Sequence, residues 1–403
     1  MQLIGLIKET KQPQDTRVAL TPKQCKYFND QYPDKKVIVQ SSQDRCFSDD
    51  EYRAQGIEVR EDVSDCEILL GIKEIKTKDL LPGKTYFFFS HTKKLQPYNR
   101  EMMQDIIRKK ITLIDYECLA FEDGARIIGF GFFAGVVGAH NGFWSYGKRT
   151  GAYELKRVHE VKTFQELIKT YFGLKLPNIK IAVTGNGRVA HGILEVMNLL
   201  GVHEVEPSDY LSKQFEYPVF VHLKGALLYR HKTMGTYIRE DFHEHPEEYE
   251  CLFEPYISET DMLMNGIYWE ENIPRLFEEA DIKKENFRIK TIADITDDMG
   301  GSVPINLGDS TIEDPVYGVG INTLEKTAPF LEHSIDVMAV GNLPNELPRD
   351  ASNYFGEQLI KHIFDKLFSE KSNVISKATI AQNGKITDEF AYMRAYAETD
   401  NEL

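Results

Sequence analysis

Cysteine is scarce and patternless here: Cys25, Cys46, Cys66, Cys118 and Cys251 form an odd set with no C-x-x-C pair. That excludes a disulfide frame and a cysteine-built zinc site, and it fits reduced thiols in a cytoplasm. Long hydrophobic runs are missing too. The nearly apolar stretch 130–139 is half of the roughly 20 residues that a membrane-spanning helix needs. The opening MQLIGLIKET meets Lys8 and Glu9 before an apolar core can form, so no signal peptide is expected. Basic residues are outnumbered, 48 Lys and Arg against 63 Asp and Glu, for a net charge of −15. Such a chain is poor material for a nucleic-acid binder, whose affinity comes from neutralising phosphates. Tryptophan occurs only at Trp144 and Trp269, where packing is the expected role. Histidines crowd once, at His243 and His245 in FHEHPEEYE, but without a third ligand, so no metal is expected. What remains is a globular enzyme or small-molecule binder, with the oligomeric state left open.

The 403 residues are enough for two or three domains at roughly 150 residues each. In the first 120 residues, LIGLIKE, KVIVQS, EILLGIK, TYFFFSH and ITLIDYE predict short buried strands. Between them TPKQCKYFNDQY, SDDEYRAQG and YNREMMQDIIRKK predict helices, with Thr21 and Ser48 as N-caps and Pro22 at the first helical position. Alternation of this kind implies parallel pairing with helices on both faces. Glycines crowd residues 124–151, and the crossover to a second domain is expected there. IKIAVTG, PVFVHL, DMLMNGIYW and KTIADIT predict further strands, and residues 353–367 a closing helix. No repeat or low-complexity linker interrupts the chain.

Gly185, Asn186, Gly187, Arg188, Val189 and Ala190 fit G-x-G-x-x-A between a strand and a helix. The first glycine permits the turn, the second admits a pyrophosphate, and the helix N-terminus supplies free N–H groups. A plain glycine turn is the alternative. The acid expected about 20 residues on, at a ribose hydroxyl, has three candidates: Glu204, Glu206 and Asp209. NAD or NADP therefore stays open.

Residues 71–110 carry ten Lys or Arg and four Asp or Glu. A solvated basic face explains most such runs. Lys73, His91 and Lys94, however, follow strand ends, where doubly wound sheets bind ligands. A lysine among cations can lose its proton near neutrality, and histidine titrates there already, so Lys73 and His91 are candidates for general base and acid. Glu117 also ends a strand. Arg17 and Arg126 lie beside apolar segments and carry the fork that suits carboxylates.

IKET…TRVALTP, GIKE, FFFSHTKKLQ, LIDYE, RIIGFGFFAG, GNGRVA, ADITDDMGGS and NLPNELPRDAS together resemble the saccharopine dehydrogenase (lysine-forming) and alanine dehydrogenase superfamily, across essentially the whole chain. TYFFFSHT, LMNGIYWEENIPRL, STIEDP and DMGGSVPIN are similar to the lysine–ketoglutarate reductase half of aminoadipic semialdehyde synthases. The resemblance implies an α/β fold of two Rossmann-like, doubly wound parallel-sheet domains with the active site in the cleft between them. The implied division is 1–142 completed by 345–403, with the dinucleotide domain at 143–344. The implied activity is reversible NAD(P)-dependent reductive amination, L-lysine with 2-oxoglutarate giving saccharopine. Alanine dehydrogenase or another opine-type enzyme is the alternative, and an inactive dinucleotide-binding sensor the one from a different class. Lys73 would serve the amine and His91 the carbinolamine oxygen, with Glu74 and Glu117 tuning Lys73. Arg17, Gln96, Arg126, Phe130, Thr296, Asp297 and Asp298 match substrate positions. Gly185, Gly187, Arg188, Val189, Ile295, Val340 and Leu343 match the dinucleotide side. Three positions depart: Ala125 replaces a family arginine, Gly341 replaces an acid, and the strand-end aspartate that selects NAD has no counterpart.

Overall fold

The computed structural model describes residues 1–369 and 372–398. The chain forms two compact units, Met1–Phe130 with Pro348–Leu403, and Gly131–Leu347.

In the first unit β1 (Gln2–Leu6), β2 (Lys35–Gln40), β3 (Glu58–Arg60), β4 (Ile68–Leu70), β5 (Thr85–Phe88) and β6 (Thr112–Asp115) all pair in parallel, in the order 3-2-1-4-5-6. Their apolar runs are buried on both faces, as parallel strands require. Helices Pro22–Gln31 and Asp49–Ala54 start at Thr21 and Ser48, and each start is a full capping box. Both caps stand where the sequence put them. The three-residue edge strand β3 is too short to have left a periodic signal.

The second unit holds β7 (Lys180–Thr184), β8 (His203–Glu204), β9 (Val219–Leu223), the antiparallel pair β10 (Tyr229–His231) and β11 (Tyr249–Cys251), β12 (Met262–Asn265), β13 (Thr291–Asp294), β14 (Val316–Gly320), β15 (Lys326–Thr327) and β16 (Ser334–Met338). Its main sheet runs β15-β14-β16-β13-β12-β7-β9-β8, parallel from β16 to β8, with β14 and β15 antiparallel at one edge. Helix Pro348–His362 and the antiparallel strands β17 (Thr379–Gln382) and β18 (Lys385–Ile386) then complete the first unit, β17 pairing with β6. Both sheets are therefore mixed rather than wholly parallel. No helix among the described residues is long and apolar enough to cross a membrane.

The crossover to the second unit does fall in the glycine-dense stretch, between Phe130 and Gly131, and most of that stretch is the helix Gly131–Thr150 of the second unit. The unit boundaries accordingly fall at 130/131 and 347/348 rather than at 142/143 and 344/345. Packing explains why. A Cβ on Gly135 would lie 2.0 Å from the Val189 carbonyl, and one on Gly192 would lie 2.0 Å from the Phe132 carbonyl. Bare Cα atoms let this helix cross Arg188–Leu199 in near backbone contact, while Gly138 and Gly142 face Ile295 and Ala293. Tertiary packing overrides the poor helix propensity of glycine.

Gly192→Ala should therefore destabilise by about 1–3 kcal/mol through overpacking, despite the roughly 1 kcal/mol that alanine gains in helix propensity. Gly187→Ala, whose Cβ would meet nothing within 4 Å, should leave the urea midpoint nearly unmoved. Equal midpoints for the two variants would contradict the close crossing.

Candidate active site

In the first unit the loops after β1, β4 and β5 converge on one carboxylate. Glu74 is buried and accepts from Lys11 Nζ at 2.7 Å on both oxygens, from Asn99 Nδ2 at 3.2 Å, and pairs with His91 Nδ1 at 2.7 Å. Burial alone would raise its pKa, but the His91 and Lys11 contacts outweigh it and hold the carboxyl at about 2. His91 adopts a left-handed backbone, φ 49°, and its ring stacks on Phe89.

Lys73, one residue before Glu74, is held through its backbone: Glu9 accepts from Ile72 N at 2.6 Å and from Lys73 N at 2.9 Å. Burial, then the neighbouring Arg17 charge, pulls the Lys73 amine down to about 8; Asp15 and Glu74 oppose them. Arg17 spends its Nε and Nη2 on Asp15, at 3.0 and 2.6 Å, and its guanidinium lies 4.1 Å from the Phe130 ring. Phe130 in turn stacks on Phe355 at 4.5 Å. Against burial, Arg17 holds Asp15 at about 2, whereas burial and Asp15 push Glu9 up to about 8. Glu9, Lys11, Asp15 and Asn99 are participants that sequence reasoning missed. Only their place in IKET…TR and in the loop after β5 hinted at them.

Glu117, two residues beyond β6, pairs with Arg126 at 2.8 Å, and Arg126 is half-exposed on a bridge with Ala120. Asp15 and Glu74 are carboxylates that act on Lys73, and Glu117 is paired with Arg126. Gln96 caps the turn Pro97–Asn99, and its carbonyl accepts from the Tyr396 hydroxyl at 2.6 Å.

In the second unit Gly185 follows β7 with φ 102°, and a Cβ there would lie 2.4 Å from the Gly266 carbonyl. His222 donates to the Gly185 carbonyl at 2.7 Å and fixes the turn. Gly187 is the N-cap of Arg188–Leu199, caps it with no side chain, and faces open space. A clear approach to uncapped helical N–H groups is what a pyrophosphate needs. The residues present therefore fit a dinucleotide. At the ends of β7, β12 and β13, Asn265 links Thr184, Asp294 and Ser302, and Thr296 donates to Asp294 at 2.9 Å. Beyond them Ile295, Thr296, Asp297, Val340 and Leu343 line a cavity of about 310 Å³. Asp298 follows in the same loop and its carbonyl accepts from Gly301 N.

β7 stands between β12 and β9, and β8 lies outside β9. Glu204, Glu206 and Asp209 thus sit on or after the rim strand. The position that would present an acid to a ribose in NAD-binding folds is taken by Lys224, directly after β9 and exposed.

Residues 5–137 match the family described as alanine dehydrogenase/PNT, N-terminal domain. Over 450 residues the chain is 30% identical to the rat mitochondrial alpha-aminoadipic semialdehyde synthase, covering 98% of this chain and 48% of the relative. It is 25% identical to the saccharopine dehydrogenase [NAD(+), L-lysine-forming] of Emericella nidulans, covering 95% and 97%. An L-alanine dehydrogenase structure superposes with TM-score 0.67 at 16% identity, over 98% of this chain and 99% of that one. The chain is thus similar to saccharopine dehydrogenases in sequence and to an alanine dehydrogenase in fold. It spans about half the length of the semialdehyde synthases that it matches.

Gly187→Asp should abolish dinucleotide binding without unfolding. The added carboxylate repels pyrophosphate, and the open space around Gly187 accepts a side chain. Fluorescence titration with NADH and NADPH, beside a melting curve, checks both halves. Unchanged titration would remove the cofactor from this turn.

Proposed function

We propose that the protein is a cytoplasmic NAD(P)-dependent oxidoreductase that joins the amine of L-lysine to 2-oxoglutarate as saccharopine, reversibly. The observation that carries this reading is the Lys73 amine, drawn down to about 8 by burial and Arg17 beside a histidine held by Glu74. A lysine with that affinity is part neutral at physiological pH and can take a proton from a substrate ammonium. The names of the relatives supply the substrates, and the free thiols of the five cysteines suit a reducing compartment.

In the forward direction Lys73 removes a proton from the incoming ammonium, which frees the nitrogen to add to the 2-oxo carbon. His91 protonates the carbinolamine oxygen, which leaves as water and gives the imine. When bound, the dinucleotide supplies the hydride that reduces that imine. Glu74 keeps the His91 ring oriented through Nδ1, and Asp15 with Arg17 sets the field at Lys73. Arg126, half-exposed with Glu117, is the guanidinium placed to take a substrate carboxylate, since the Arg17 fork is spent on Asp15. Gln96, Phe130, Thr296, Asp297 and Asp298 complete the proposed substrate contacts. Arg188, Val189, Ile295, Val340 and Leu343 complete those to the dinucleotide.

Lys73→Met should lower kcat by about 10²- to 10⁴-fold. In the reductive direction, with L-lysine, 2-oxoglutarate and NADH or NADPH, the wild-type rate should rise as pH passes about 8 and neutral Lys73 accumulates, and the variant should lose that limb. Substrate preference is read separately, by oxidation of saccharopine, alanine and a set of opines with each cofactor. Alanine as the better substrate would end the saccharopine reading, and an unchanged profile in the variant would end the role of Lys73.

Lys224 gives a second test. A cation next to the ribose accommodates a 2′-phosphate, while an acid binds the free hydroxyl. Lys224→Asp should move the ratio of kcat/KM for NADPH to that for NADH toward NADH by at least tenfold. An unmoved ratio would place the ribose away from the end of β9.

A further inference from the structure

Within the second unit, two loops bring a pair of aspartates over one glycine. Asp297, just beyond β13, takes a left-handed backbone with φ 57°, which aspartate tolerates better than most residues. Asp309 arrives from the loop before β14. A Cβ on Gly341 would lie 3.0 Å from Oδ2 of Asp297 and 3.0 Å from Oδ2 of Asp309, so the two oxygens flank the same point. The two carboxyl groups thus face each other across Gly341; Asp309 is exposed, and Asp297 Oδ1 is buried without a hydrogen-bond partner. Both residues line the cavity of about 310 Å³ that also carries Ile295, Val340 and Leu343.

Asp294, behind the pair, is buried and accepts from Asn265, Thr296 and Asn306. The Tyr317 hydroxyl, from β14, donates to Asn306. Lys326, from β15, lies 4.3 Å over the Tyr317 ring and donates to the Gly308 carbonyl. Among the described residues no lysine, arginine or histidine is ion-paired with Asp297 or Asp309. Two carboxylates turned on one point repel each other when both are ionised, which favours keeping one proton between them.

We infer that Asp297 and Asp309 share one proton, and that Asp309 is a positioning residue whose charge keeps that proton available on Asp297 as a hydrogen-bond donor to an acceptor oxygen of the ligand in this cavity. The chemical sense is direct. A substrate rich in carboxylates would be repelled by two negative charges on the cavity wall, whereas a shared proton halves that charge and supplies a donor. Gly341 belongs to the device, because any larger residue would push the two oxygens apart. Burial, with Asp309 and Asp294 adding to it, raises the Asp297 carboxyl to about 8. The donor is therefore present at neutral pH and lost as pH rises through about 8. The ligand part of this inference rests on the reading of the cavity under Proposed function; the shared proton does not.

Asp309→Asn keeps the shape but removes the neighbouring charge. A difference proton titration of wild type and variant, with no ligand present, should show Asp297 releasing its proton at lower pH in the variant by about one unit, a tenfold change in its ionisation constant. Superimposed titrations would overturn the shared proton whatever the substrate is. In steady state the variant should raise KM for saccharopine about tenfold near pH 8, more than it lowers kcat, with the alkaline rise in KM starting at lower pH. If NADPH or NADH binding alone carries the same pH shift, the acceptor oxygen is on the dinucleotide; if only KM for saccharopine moves, it is on the substrate. A displaced titration with no change in either binding profile would overturn the positioning role. Gly341→Ala, which separates the oxygens without altering either acid, should reproduce the titration shift, and failure to do so would count against the pairing. A wild type inactive on saccharopine would overturn the functional reading and leave the ligand-free titration to decide the proton.

Discussion

The Glu74 carboxylate ties the loop after β1, through Lys11, to the loops after β4 and β5, through its own backbone, His91 and Asn99. An anion taken out of water costs several kcal/mol unless its oxygens are filled with donors. Here the donors come from segments far apart in sequence, so none of these loops can move without stranding the charge. His91 is oriented as a consequence, its Nδ1 side being fixed on the acid. Lys73 gains as well. The charge of its immediate neighbour is largely answered by Lys11 and His91, and burial with Arg17 then prevails at the amine.

A different constraint organises the second unit. Gly135 and Gly192 remove the side chains between two helices, and the helix Gly131–Thr150 comes down onto the sheet against Ile295 and Ala293. The residues that follow β13 thereby acquire a packed floor. Above it Asn265, Thr296 and Asn306 fill the oxygens of buried Asp294. That network holds the loop from which Asp297 leaves in a left-handed conformation toward Asp309. Backbone strain of this size persists only where the surroundings over-determine it, and such positions gather at functional sites.

Much of this was legible along the chain. Thr21 and Ser48 announced their helices because a cap and the amides it satisfies lie within three residues of each other. The buried strands announced themselves because parallel pairing covers both faces with apolar side chains. The glycine turn at Gly185 could be read because its geometry is local. The helix Gly131–Thr150 could not, since glycine opposes helix locally and is retained there only for a crossing made with residues fifty positions away. Arg17 looked like a free fork for a carboxylate, and its closeness in sequence to Asp15 did not reveal that both would be buried together.

The sequence by itself determined the strand and helix alternation, the cofactor turn and the cluster of titratable residues at strand ends. These depend on near neighbours and on the period of burial. Tertiary structure alone decided which strands flank β7, and so put Lys224 rather than Glu204 after a neighbouring strand. It alone decided that Asp15 is brought to act on Lys73 beside Glu74, that Glu117 pairs with Arg126, and that Asp297 meets Asp309 across Gly341. Those outcomes are set by strand order and by charges brought together from distant segments, where electrostatic interaction depends on separation in space and on burial rather than on distance along the chain.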